Sequence, residues 1–265
     1  MNGWLTARLR TATWLLLVLL ALPSRSHASF LTFVEALKNN VGGVSGLTDV
    51  LWVAISPDGR HLYAAGFADN AVVVLGRDSL TGALTLIETK VNGVDGVRGI
   101  SGPTAIAVSP DGRHVYVAGG NENALAVFAR DANTGMLTFV QVLRDGIAGV
   151  DGLMAPSAIA ASPDGSSVYV AAFTSNALAV FTRDRSSGAL TFTQVVPYTV
   201  GIIDGLRGAS GVVVSPDGAH VYATGQVDNA VAVFSRNPIS GTLQYVEVQR
   251  DGINGVDGLA TASGV

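Results

Sequence analysis

Four aspartates recur before glycine in one type of loop: Asp95, Asp151, Asp204 and Asp257, in "VDGVRGISGP", "VDGLMAP", "IDGLRGAS" and "VDGLATAS", with Ser45 in the first copy. Carboxylates converging from successive copies of a loop could hold a divalent cation such as calcium, or the hydroxyls of a polyhydroxylated ligand. The same Asp-Gly pairs also suit a loop bend in which the side chain bonds the backbone just ahead of it. Three residues further on the copies read Thr48, Arg98, Met154, Arg207 and Ala260. Arg98 and Arg207 break the pattern, and a guanidinium there could grip a carboxylate or phosphate in bidentate fashion or pair with a neighbouring Asp. Glu122 is the one glutamate expected near these loops. No nucleophile motif, Cys/His metal spacing or phosphate-cradling loop occurs, so no cofactor beyond such a cation is implied.

These residues sit in a tandem repeat. Ser-Pro-Asp-Gly begins at Ser56, Ser109, Ser162 and Ser215, each 53 residues after the last; Asn70, Asn123, Asn176 and Asn229 keep the same step, as do Leu31, Leu84, Leu137, Leu190 and Leu243. Each unit holds four short β-rich runs, A to D, which in the second unit are Thr104–Ser109, His114–Ala118, Ala124–Ala129 and Leu137–Leu143. Between A and B, Pro110 presets φ, Asp111 can bond the backbone and Gly112 accepts positive φ, which makes a hairpin turn. The unit is a four-stranded antiparallel meander. Runs such as "AIAVS", "VYVA" and "ALAVF" are apolar or small on both faces, so both faces must be covered. Sheets fanned about an axis do this, and the fold class is an all-β propeller; a parallel β-helix would need shorter coils without a hairpin in each unit.

In a propeller the B-to-C and D-to-A loops open on one face around the channel mouth, which places the seven candidates there. His61, His114 and His220 each lie one residue beyond Ser-Pro-Asp-Gly, at the opposite face, and read as strand-edge residues; no His is then near the mouth to serve as general base. Arg77-Asp78, Arg130-Asp131, Arg183-Asp184 and Arg236-Asn237 read as surface turns, with exposed ion pairs worth roughly 0–1 kcal/mol.

The ends carry further expectations. Arg8 and Arg10, the apolar run Thr11–Pro23 and Ser26-His27-Ala28 have the layout of a secretory signal peptide over residues 1–28, cleaved after Ala28. The apolar run is shorter than the roughly 20 residues of a membrane span, Arg8-Leu9-Arg10 is not a twin-arginine pair, and no Cys is available for a lipid anchor. The expected location is periplasmic or secreted, without membrane attachment after cleavage. The mature chain would carry 13 Lys+Arg against 20 Asp+Glu, a formal charge of −7, which argues against nucleic acid. Lacking Cys, it has no disulfide framework.

The remaining 29–265 reads as a lone strand D over 31–38, four complete blades over about 50–250, and the start of another at 260–265. "LTFVEALKNNVGGVSGL" from Leu31 matches "LTFVQVLRDGIAGVDGL" from Leu137, and "TASGV" at the end matches "GASGV" from Gly208. In propellers such a lone strand D completes the last blade and closes the ring. Four blades would leave two open faces, each exposing on the order of 500 Å² of apolar area at a cost of about 10 kcal/mol. The expectation is a C-terminally truncated portion of a larger ring, with self-association or four-bladed closure as alternatives.

The unit "SPDGRHVYVAGGNENALAVFARDANTGMLTFVQVLRDG" resembles the repeats of bacterial lactonase-type seven-bladed β-propellers, a group that includes propeller 6-phosphogluconolactonases and carboxymuconate-lactonising relatives and overlaps with YVTN-repeat surface proteins. The resemblance covers about Leu31 to Val265 and implies about seven units. Its lactonising members rely on His, Glu and Arg, a set that has no residue-by-residue match here. Two functions remain open: a propeller presenting its loop face to a small molecule, glycan or protein, and a lactone hydrolase or isomerase acting on a sugar-acid lactone, with Arg98 or Arg207 holding the substrate carboxylate and an Asp assisting water.

Overall fold

Local turn chemistry sets the frame. In the Ser-Pro-Asp-Gly turn of the second unit, Ser109 Oγ donates to Asp111 Oδ1 at 2.6 Å and accepts from His114 N at 3.0 Å. Asp111 Oδ1 also accepts from Arg113 N at 3.1 Å, and Gly112 takes φ +69°. The same bonds recur around Ser56, Ser162 and Ser215, so strands A and B are joined identically in every unit.

The computed structural model describes residues 33–264. The expected leader over residues 1–28, with its cleavage site after Ala28, and Leu31 lie outside the described residues. Within Val34–Val265 there are sixteen strands in four sheets: β1–β4 (Val50–Ile55, His61–Gly66, Ala71–Arg77, Leu84–Val91), β5–β8 (Pro103–Val108, His114–Gly119, Ala124–Arg130, Leu137–Arg144), β9–β12 (Pro156–Ala161, Ser167–Ala172, Ala177–Arg183, Leu190–Pro197) and β13–β16 (Ala209–Val214, His220–Gly225, Ala230–Arg236, Leu243–Arg250). Each sheet is an antiparallel meander in chain order. All four carry a bulge at the same place between strands C and D, at Val74/Leu75, Val127/Phe128, Val180/Phe181 and Val233/Phe234. Such a bulge increases local twist.

The inner strands β1, β5, β9 and β13 lie side by side in succession, so the sheets fan about a shared axis as blades of a propeller. The core lies between blades. Tyr116, Leu125 and Val127 of the second blade pack with Ile159, Val168 and Phe181 of the third, and equivalent clusters join the first blade to the second and the third to the fourth. On the first blade, where no preceding sheet covers it, the same position is wet: Val53 on β1 is 55% exposed, whereas its equivalent Ile106 on β5 is 2% exposed.

Polar staples cross each interface in register. Thr104, Ser157 and Ser210 donate from Oγ to the carbonyls of Pro156, Ala209 and Ala262. On the outer strands, Glu88, Gln141 and Gln194 accept the amides of Leu137, Leu190 and Leu243 at 2.7–2.9 Å. Glu35 accepts the amide of Leu84 in the same way, so residues 34–38 occupy the strand-D position of a preceding blade. The described part of the expected strand over 31–38 is not a paired strand, because no strand C lies beside it to supply hydrogen bonds. At the other end, Thr261 N donates to Asn229 Oδ1 at 2.7 Å, continuing the inter-blade pattern.

The Asn of each B-to-C bend is a further staple. Asn70, Asn123, Asn176 and Asn229 adopt φ of 50–51°, and Asn123 Oδ1 accepts the amide of Ala155 at 2.8 Å. Asn123→Ala is expected to cost about 2 kcal/mol in urea unfolding, roughly half from the lost bond and half from an alanine held left-handed. Asn123→Gly, which relieves the strain, is expected to cost about half as much; equal losses would show that strain plays no part.

Candidate binding site at the channel mouth

The D-to-A loops do not run straight to the mouth. They first cross the ends of the outer strands: a Cβ on Gly99 would meet Val142 and Ala124, one on Gly152 would meet Val195 and Ala177, and one on Gly205 would meet Val248 and Ala232. Asp151 and Asp204 lie beside two of these glycines and Asp257 precedes Gly258, and each aspartate accepts the next residue's amide at 2.8–3.0 Å. Their geometry is that of the loop bend. Asp204 also pairs with Arg250 of outer strand β16.

Asp95 is not their equivalent. The 53-residue step puts Arg98 at the position of Asp151 and puts Asp95 at that of Ala148, and the backbone agrees, with φ of 50° at Asp95, 53° at Ala148 and 53° at Asn254. The four-membered carboxylate ring is therefore corrected to three aspartates and Arg98 at one position of the repeat. Among the described residues no three His, Asp or Glu side chains come together as a metal site. The two arginines are likewise three positions apart in register. Arg98 lies over the Phe139 ring at 5.8 Å; Arg207 lies over Tyr198 at 6.0 Å and is 4.0 Å from Asp228. Glu122 is occupied by Arg144 at 2.6 Å and by the Asn92 amide at 2.7 Å. Burial pushes its carboxyl up, but these bonds outweigh that and hold it below its ordinary value.

The cavity at the mouth is built from other residues. About 460 Å³ in volume, it lies where the B-to-C loops meet the first residues of the inner strands, and none of the seven sequence-derived candidates lines it. Three aromatic rings, Trp52, Phe67 and Phe173, share its wall with the amides of Asn121 and Gln226 and the hydroxyl of Ser157. No lining residue is charged. An apolar wall with a few fixed neutral hydrogen-bonding groups is the make-up of a small-molecule site. The sequence did carry a signal for it: position 67 of the repeat reads Phe67, Gly120, Phe173 and Gln226, and Trp52 stands where later units have Ala105, Ala158 and Gly211.

The densest ionic network is at the other face and corrects one further expectation. Arg130, Arg183 and Arg236, read as surface turns, are each only 6% exposed. Each guanidinium crosses to the preceding blade and binds both oxygens of its turn aspartate, Asp58, Asp111 or Asp164, at 2.8–3.1 Å. His61 and His114 are buried beside them, each accepting at Nδ1 from the arginine at 2.7 Å. Strand C ends directly above the neighbouring blade's turn, which draws these side chains inward rather than to water. Burial, then the nearby guanidinium, lowers both imidazoles' pKa values. Burial opposes ionisation of the three aspartates, but bonds from serine, arginine and backbone amides prevail, holding Asp111 at about 2 and Asp58 and Asp164 lower still.

Among solved structures, a periplasmic gluconolactonase of Pseudomonas aeruginosa is 27% identical, with a TM-score of 0.62 over 77% of this chain and 54% of that one. A protein from Lactobacillus plantarum, 24% identical, superposes with a TM-score of 0.63 over 76% of this chain and 57% of that one, a likeness of fold. A curated relative from Arthroderma benhamiae, named "Probable 6-phosphogluconolactonase", is 32% identical over 114 residues, which are 41% of this chain and 27% of that protein. The chain thus spans little more than half the length of these structures. Residues 52–201 match the family described as "Lactonase, 7-bladed beta-propeller". With its four-stranded blades in register and more than half of its length matched, the chain belongs to the seven-bladed β-propeller lactonase family.

Proposed function

We propose that this chain is part of a sugar-lactone hydrolase acting outside the cytoplasm, with the channel mouth as its lactone site. The observation that carries this reading is the wall of Trp52, Phe67 and Phe173 joined to the neutral donors Asn121 and Gln226. Aromatic faces suit the C–H side of a sugar ring, and the amides suit its hydroxyls and the lactone carbonyl. Family membership supports the reaction class, and the 27% identical periplasmic gluconolactonase supports both substrate and location. The N-terminal pattern over residues 1–28 supports export.

Hydrolysis adds water across the acyl–oxygen bond: the water oxygen bonds the carbonyl carbon, the ring oxygen leaves and takes up a proton, and a hydroxy acid results. In this reading the mouth residues bind the ring, and Asn121 or Gln226 donates to the carbonyl oxygen as it gains charge. The uncharged wall favours a neutral lactone over a phosphorylated one, because a phosphate would be buried without a counter-charge. A chain of formal charge −4 also favours release of the anionic product.

A second reading, a non-catalytic mouth that binds a small ligand, glycan or protein, is favoured by one specific observation: no carboxylate or imidazole lines the cavity to take the proton. A pH-stat assay with D-glucono-1,5-lactone separates the two. Turnover above the spontaneous rate is expected, lowered about tenfold or more in kcat/KM by Asn121→Ala or Gln226→Ala and unchanged within about twofold by Arg98→Ala or Arg207→Ala. Saturable binding with only spontaneous opening would leave the binding reading and remove the hydrolase.

A further inference from the structure

Phe67 and Phe173 occupy the same position in the first and third blades, and between them the second blade offers Gly120 and Asn121. Phe173 is 40% exposed, a large ring held out of the core at the rim of the cavity. Each ring lies against a glycine of the next blade's loop. A Cβ on Gly102 would come within 2.9 Å of Phe67 Cε2 and 2.5 Å of Asn121 Nδ2, and one on Gly208 within 3.0 Å of Phe173 Cε2 and 2.7 Å of Val227 Cγ2.

Backbone need does not explain these two glycines. Their φ values are +56° and +63°, yet the equivalent residues are Asp49, Ala155 and Thr261, at 52°, 52° and 55°. This left-handed position therefore accepts side chains. Glycine stands after Phe67 and Phe173, whereas Ala155 follows Gly120 and Thr261 follows Gln226, each 35 residues on. Ring and seat change together, which ties the two glycines to the placing of the two rings.

We propose that Phe67 and Phe173 are specificity-determining residues that together select the closed, uncharged ring of the ligand over its open-chain form. The inference rests on the lactone reading above. Two flat faces at the mouth reward a ligand that presents a rigid C–H surface, and they offer little to a solvated, flexible hydroxy acid. Seated on glycine, each ring is held by its neighbour instead of swinging freely, so less ordering is required when the ligand arrives.

Trp52 lines the same cavity, so its fluorescence reports occupancy, and a Trp52→Phe control gives the background of Trp4 and Trp14 for subtraction. The full chain is titrated with D-glucono-1,5-lactam, a hydrolysis-resistant ring, and with open-chain gluconate. Phe67→Leu and Phe173→Leu keep an apolar side chain against the glycine and lose only the flat face; each is expected to raise the lactam Kd about tenfold, while Phe→Tyr at either site stays within about twofold. All four variants are expected to melt with the wild type, and gluconate binding is expected to be equally weak in every protein. If wild type binds lactam and the leucine variants bind it equally well, the ring-selecting role is wrong and the lactone reading stands. If wild type itself binds neither lactam nor lactone, both fall.

Discussion

Replacing Arg183 with methionine is expected to lower the free energy of unfolding by about 3 kcal/mol. The guanidinium binds Asp111 at 3.0 and 2.8 Å, donates to Gly165 O at 3.0 Å and to His114 Nδ1 at 2.7 Å. Breaking a buried pair from one side costs about 3–5 kcal/mol, because the partner is left uncompensated. Asp111 retains 35% side-chain exposure, so water recovers part of that loss and the low end applies. For a domain of this size the melting temperature should fall by about 6–12 °C. Arg77→Met is the internal control. Arg77 is only half-buried and among the described residues its guanidinium bonds Gly59 O alone, at 3.1 Å, so its loss should cost under about 1 kcal/mol. Similar shifts at 77 and 183 in a thermal melt would refute the inter-blade assignment.

Acidification is expected to destabilise the protein in two stages. His61 and His114 are held below their ordinary value by burial and by Arg130 and Arg183. Between about pH 6.5 and their folded values the unfolded chain therefore binds more protons than the folded one. Their contribution is complete above about pH 6.5 and is lost on descent through that window, at no more than about 1.4 kcal/mol per pH unit for each imidazole. Asp58, Asp111 and Asp164 form the second stage. With folded values depressed, they contribute above about pH 4, and that contribution is lost as pH falls toward 2. The third blade supplies the test substitution, since Ser167 stands where His61 and His114 do and bonds Arg236 through its hydroxyl. In His61→Ser/His114→Ser, melting temperature against pH should lose its slope just below about pH 6.5 and keep the drop below about pH 4. A slope that persists in the double variant would assign it to other groups.

Local chemistry made the blades legible in the amino-acid sequence. Ser-Pro-Asp-Gly dictates its turn through bonds spanning five residues, Asn70 and its equivalents tolerate a left-handed bend, and strands apolar on both faces require cover on both. Each of these acts within a few residues of itself, so strand order and boundaries follow within a residue or two of those observed.

What the tertiary structure alone decided lies at longer range. Arg130 reaches an aspartate 72 residues earlier, and nothing beside it in the chain distinguishes that from a surface turn. The carboxylate ring failed because matching the letters Val-Asp-Gly put Asp95 in a register that the fixed step denies, and because the loop crosses the outer strands before it turns inward. The mouth is made by positions 52, 67, 121, 173 and 226, which are neighbours only once the blades fan about one axis. A repeating sequence specifies the shape of its unit by short-range bonds, but the angle at which successive units pack determines which side chains converge on the axis, and that angle is set by side chains packing between blades.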